Sequence, residues 1–193
     1  MLTLGDSYTI GEGVLLVETY PYQTVQLLRQ QGYPFTAPEI IARTGWTTDE
    51  LHTAIRGRRL LATYDFVTLL IGVNNQYRGR SSEEYAVQFQ VLLRQAIQFA
   101  AGRPDHVFVL SIPDWGVSPF AAGRDKADIA RQIDQFNTTA RSIAQAHEVG
   151  FIDITPHSRG NAQPFAADGL HPAAPQYSYW ALQLADRIAQ CLP

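Results

Sequence analysis

The chain has 193 residues, 46% hydrophobic and 17% charged, the balance of one globular domain large enough to bury its own core. Its formal charge is −3 and Lys126 is the single lysine among scattered arginines, so no basic face is available for nucleic acid or an anionic membrane. A single cysteine, Cys191, excludes an internal disulfide, and no apolar run reaches membrane-spanning length.

Strand-like apolar runs alternate with helical periodicity along the whole chain. The first run, Leu2 to Leu4, follows Met1 with nothing like a signal peptide before it, which reads as cytoplasmic. The same run is short for a core strand, so the natural chain is expected to begin upstream, and an export signal there is left open. Glu39 to Ala42 is the second run, followed by Thr47 and Glu50 as a capping pair. Phe66 to Ile71 is the third. Ser81 and Glu84 then open a helix whose stripe is Tyr85, Phe89, Leu92, Ala96 and Phe99. Val107 to Ile112 precedes a stripe of Ile129, Ile133, Phe136, Ala140 and Ile143, and Phe151 to Ile154 precedes one of Tyr177, Trp180, Ala181, Leu184 and Ile188. The runs do not alternate apolar with polar, as befits strands buried on both faces. The pattern predicts a single domain over residues 1–193 with a flavodoxin-like, three-layer α/β/α fold and a central parallel sheet of about five strands. Function is then expected on the segments that follow the strands.

Directly after the first strand stands Gly5-Asp6-Ser7-Tyr8-Thr9, a serine at a sharp strand-to-loop turn near a helix start. Taken alone it reads equally as a turn or cap. Just before the last helix stands Asp168-Gly169-Leu170-His171-Pro172. Asp and His three apart on a helical-type turn project to one side, so the carboxylate can hold Nδ1–H and leave Nε2 to take a proton from a serine. A serine hydroxyl is a poor nucleophile without such a base in reach. Meeting both motifs by chance at these ends is on the order of one in a thousand.

These residues resemble the blocks of the GDSL, or SGNH, hydrolases, and two middle segments match as well. Arg43-Thr44-Gly45-Trp46-Thr47-Thr48 resembles the block whose glycine N–H meets an oxyanion, and Gly72-Val73-Asn74-Asn75 the block whose asparagine donates a side-chain N–H. The resemblance implies Ser7 as nucleophile, His171 as base oriented by Asp168, and an oxyanion hole of Ser7, Gly45 and Asn74. It implies a small-molecule ester as substrate, carboxylic and short-chain acyl or acetyl, with lysophospholipids and thioesters within the family's range, and no cofactor or metal. Tyr8 departs from the commoner leucine and reads either as narrowing the acyl pocket or as a packing residue; Asn75 stands where the family often has aspartate.

Tyr8, Trp46, Tyr77 and Trp115 are the candidate pocket residues, and Arg78 and Arg80 could meet a polar leaving group. His52, His106, His147 and His157 show no metal-ligand spacing and read as structural, and Asp153 reads as a loop cap. Two other readings compete. One is a flavodoxin-like binding module using Ser7-Tyr8-Thr9-Ile10-Gly11 as a phosphate loop, against which Glu12 would repel phosphate. The other is an inactive family member that binds carbohydrate or a partner. Oligomeric state is not legible.

Overall fold

Short runs of Val, Leu and Ile become strands because they are buried on both faces and too brief for a helix. The computed structural model describes residues 1–160 and 164–193. Its strands are β1 (Leu2–Gly5), β2 (Glu39–Ala42), β3 (Val67–Leu70), β4 (Val107–Leu110) and β5 (Gly150–Ile152). They form one parallel sheet in the order β2-β1-β3-β4-β5. The strand order reverses at β1, so the carboxyl ends of β1 and β3 flank the switch point where ligands of such sheets bind.

The helices are α1 (Ser7–Ile10), α2 (Tyr20–Gln30), α3 (Thr48–Arg56), α4 (Val73–Tyr77), α5 (Ser82–Phe99), α6 (Lys126–Ala146), α7 (Thr155–Arg159) and α8 (Ala174–Ala189). Packing of α2 on α8 builds one layer, and packing of α5 on α3 and α6 builds the other. Local chemistry starts them as the sequence predicts. Ser81 Oγ accepts the Glu84 N–H at 3.1 Å ahead of α5, and Glu50 accepts the Thr47 N–H at 2.9 Å ahead of α3. The predicted stripes face inward: Tyr85, Phe89, Tyr177 and Trp180 are fully buried between helices and sheet, and burial of an apolar side chain such as Phe89 stabilises the fold by about 1.5–3 kcal/mol.

The predicted fold class is the observed one, with shifted strand ends. The fifth strand stops at Ile152 rather than Ile154 because Ser111 Oγ accepts the amides of Ile154 (2.8 Å) and Thr155 (3.1 Å) and draws the chain out of the ladder. Helix α2 has no counterpart in the sequence expectations. Among the described residues no helix is long and apolar enough to cross a membrane.

Candidate active site

The site is built on the turns that follow β1, β2, β3 and β4 and on the segment before α8. Gly5 ends β1, and its need is close approach rather than a special turn. A Cβ there would lie 2.1 Å from Thr9 Oγ1 and 2.4 Å from the Leu70 carbonyl oxygen. Asp6 caps α1, its Oδ1 accepting the Tyr8 N–H at 3.0 Å. Ser7 is thus the first residue of α1, and its amide meets no protein acceptor among the described residues. Asp6 is wholly buried and its Oδ2 has no partner among the described residues; burial, opposed by backbone hydrogen bonds, pushes its carboxyl up to about 7. Burial, then the charges of Asp6, Asp114 and Asp168, holds the Tyr8 hydroxyl far above its ordinary value, so it stays neutral. The Tyr8 ring meets His171 edge-on at 5.8 Å and Trp180 at 6.1 Å.

Asp168 and His171 sit in a closed hairpin, not the helical-type turn expected. Phe165 bridges antiparallel to Pro172, and the Ala166 N–H donates to the His171 carbonyl at 2.8 Å. Within it Asp168 Oδ1 accepts the amides of Leu170 (2.9 Å) and His171 (3.0 Å), an Asx turn, while Oδ2 accepts His171 Nδ1–H at 2.6 Å. The carboxylate fixes the tautomer, since it can only accept. Burial pushes the Asp168 carboxyl up, but the bonds from the His171 ring and the two amides outweigh it and hold the group below its usual range. No hydrogen bond joins Ser7 Oγ to the ring; pairs of this kind often tighten when substrate binds.

Gly45 turns the chain after β2 with φ +85°, and its amide also meets no protein acceptor among the described residues. Its carbonyl accepts Arg78 Nη2 at 2.7 Å, and Arg78 pairs with Glu50 at 3.2 Å. Arg80 pairs with Asp49 at 2.6 Å. Arg78 therefore holds the turn, while Arg80 ties α3 to α5 through Asp49 and Glu84. Asn74, on α4, donates one Nδ2 hydrogen to the Trp46 carbonyl at 3.0 Å, leaving a second. Asn75 is buried and pairs twice with Thr48: its Oδ1 accepts the Thr48 amide (3.1 Å) and its Nδ2 donates to Thr48 Oγ1 (2.7 Å). The Thr48 hydroxyl gives its own proton to Gln88, so the position requires the donor that an aspartate lacks.

Ser7, Gly45, Asn74 and His171 line a single cavity of about 180 Å³ whose other walls include Tyr8, Val73, Tyr77, Trp115, Phe120 and Leu170. Of the four candidate aromatics, Tyr8, Tyr77 and Trp115 line this cavity. Trp46 does not: its ring is half-buried against the core, and its contribution is the carbonyl that holds Asn74. Phe120 and Leu170 went unread, although Leu170 lies inside the Asp168-to-Pro172 block. Trp115 is buried and donates Nε1–H to Gln76 at 2.8 Å.

A larger cavity of about 500 Å³ lies at the opposite sheet edge, beside Met1, Phe66, His106 and Cys191, away from the carboxyl ends of the strands. There His106 stacks on Phe66, its ring centroid 4.4 Å away, and burial with the Asp105 charge raises the Cys191 thiol. His157 stacks on Tyr179 at 3.7 Å, His52 bonds Gln95, and His147 bonds Gln90. Asp153 accepts the Ser111 hydroxyl at 3.0 Å and the Thr155 amide at 3.3 Å, and pairs with Arg141. Among the described residues no group of His, Cys, Asp and Glu has the arrangement to hold a metal ion.

Comparison with known proteins fits this architecture. The lipase/acylhydrolase from Enterococcus faecalis superposes with TM-score 0.75 at 19% identity, covering 100% of this chain and 96% of that one. The acetylxylan esterase Axe2 from Geobacillus stearothermophilus gives 0.74 at 19%, covering 97% and 92%. The esterase EstA from Pseudoalteromonas sp. gives 0.74 at 15%, covering 99% and 97%. At such identities the likeness carries the fold alone. Among curated proteins, none matches the chain. The model of the GDSL-like Lipase/Acylhydrolase family matches residues 3–178, nearly the whole length, and the chain belongs to that family of hydrolases.

Proposed function

We propose that this protein is a serine hydrolase of carboxylic esters, short-chain acyl or acetyl, working through an acyl-serine intermediate. The observation that carries the reading is one small, largely apolar cavity shared by Ser7, an Asp168-held His171 and the residues bearing three N–H donors, those of Ser7, Gly45 and Asn74. Relatives of this fold described as a lipase/acylhydrolase and an acetylxylan esterase agree with acyl esters as the substrate class.

In the proposed sequence the ester carbonyl sits over Ser7. His171 Nε2 takes the Oγ proton as Oγ attacks the carbonyl carbon, and Asp168 stabilises the imidazolium that forms. The carbonyl oxygen becomes an oxyanion, which the Ser7 and Gly45 amides and the remaining Asn74 hydrogen would meet; losing one such donor typically costs about 3 kcal/mol in the barrier. The imidazolium then protonates the leaving alcohol as its C–O bond breaks. Water, deprotonated by the same ring, cleaves the acyl-serine and returns the proton to Ser7.

The test is hydrolysis of p-nitrophenyl acetate, butyrate and octanoate by the wild type and Ser7→Ala. The expected result is turnover that the substitution lowers by about 10³-fold or more. Equal turnover by folded Ser7→Ala, or none by the wild type on oxygen esters or thioesters, would overturn the assignment.

A further inference from the structure

Arg124 lies just ahead of α6, and the sequence gives it no role. Its guanidinium carbon stands 5.3 Å from the centroid of the Tyr77 ring, 5.2 Å from Trp115 and 4.9 Å from Phe120. Its Nη2 also donates to the Tyr77 hydroxyl at 3.2 Å. The three rings touch one another, at 5.4 Å for Tyr77 and Trp115, 6.3 Å for Tyr77 and Phe120, and 6.1 Å for Trp115 and Phe120. Among the described residues Arg124 forms no ion pair, and Asp128 one turn further on pairs with Arg131 instead. The charge is therefore directed at the ring faces, whose quadrupoles attract it.

All three rings line the cavity that holds Ser7 and His171, but they come from different segments: Tyr77 ends α4, whereas Trp115 and Phe120 follow β4. They are not held equally. Trp115 is buried and fixed by Gln76, while Tyr77 and Phe120 are 47% and 39% exposed. The Phe120 backbone is tied to the Gly169 carbonyl at 2.9 Å, but its ring is not. Arg124 spans the two exposed rings and presses both against the fixed one. A cavity of about 180 Å³ walled in this way has room for roughly six water-sized groups, the size of a short acyl chain.

We propose that Arg124 is a specificity-determining residue that clamps the Tyr77–Trp115–Phe120 wall and keeps the acyl pocket short. This rests on the ester-hydrolase reading and names the part of the substrate that the wall selects. Without the guanidinium, Tyr77 and Phe120 reach other rotamers and the outer end of the pocket opens to longer chains.

The experiment compares wild type, Arg124→Ala, Arg124→Lys and Ser7→Ala on p-nitrophenyl acetate, butyrate and octanoate, with Tm read for each. The expected result is that Arg124→Ala raises the octanoate-to-acetate ratio of kcat/KM by about fivefold or more, with Arg124→Lys in between. An unchanged ratio, or the same fall on all three esters, overturns the clamp. If Arg124→Ala does not fold, Arg124→Met takes its place, with the same expectation. If the wild type has no Ser7-dependent turnover, the ester reading fails, and calorimetric binding of octanoate and acetate then decides the clamp. Octanoate gaining on acetate in the variant supports it, and an unaltered preference overturns it.

Discussion

Replacing Asp6 by Asn tests the electrostatics beneath Ser7. The carboxyl is wholly buried with one oxygen unpartnered among the described residues, and its pKa rises from 3.8 to about 7. The hydroxyls that face it are neutral throughout the working range, their pKa values all raised: Tyr8 on α1, Tyr20 on α2, Tyr85 on α5 and Tyr177 on α8. A pKa raised by folding contributes stability that is complete below the unfolded value and is lost as pH climbs through the folded one. The rise from 3.8 to about 7 corresponds to roughly 4 kcal/mol, of which about 3 kcal/mol is lost between about pH 5 and about pH 8. Asn keeps the acceptor for the Tyr8 N–H and does not ionise; its amide in place of the orphan oxygen costs about 1–3 kcal/mol at every pH. The stability of Asp6→Asn minus that of the wild type should therefore rise by about 3 kcal/mol from about pH 5 to about pH 8. Other titrations, including that of Asp168, occur in both proteins and cancel. Urea denaturation of both proteins across this range is the assay. Parallel stability curves would refute the reasoning, because they would mean that folding leaves the Asp6 charge as well solvated as unfolding does.

Asn75→Asp keeps the acceptor for the Thr48 amide but removes the donor to its hydroxyl and buries a carboxylate, so urea denaturation at neutral pH should show a loss of about 2–3 kcal/mol that shrinks in acid. Arg159 pairs at 2.7 Å with Asp114, whose side chain is 2% exposed, so Arg159→Ala strands a buried charge. Because Arg159 itself is a third exposed, the expected loss by denaturation lies near the low end for broken buried pairs, about 3 kcal/mol.

The sheet was legible because β1 to β4 coincide with apolar runs, and three helices because their buried residues fall in clean stripes. Helix α2 was not, since its buried face includes Pro21 and Thr24 beside Val25 and Leu28, which dilutes the period. At the candidate site, the meeting of Ser7, Gly45, Asn74 and His171 at one cavity was legible because each belongs to a segment that follows a strand or precedes the last helix and matches a block of the resemblance. The pocket wall was harder. Its shape depends on contacts far apart in the chain, such as the Phe120 amide on the Gly169 carbonyl, which no local pattern reports. Trp46 misled because an aromatic beside a site glycine reads as lining, whereas here the ring packs against the core. Arg78 lies close to the site in sequence and invites a substrate role, yet Glu50 and the Gly45 carbonyl engage it.

The Asp168–His171 hairpin lies just before α8, whereas Ser7 directly follows β1. During synthesis the Ser7 hydroxyl would leave the ribosome well before the His171 ring. Under the proposed mechanism a growing chain would carry a serine no more reactive than any other until the hairpin ahead of α8 could dock. Hydrolytic competence would then wait on docking of this hairpin, so turnover would report the molecules in which it has docked.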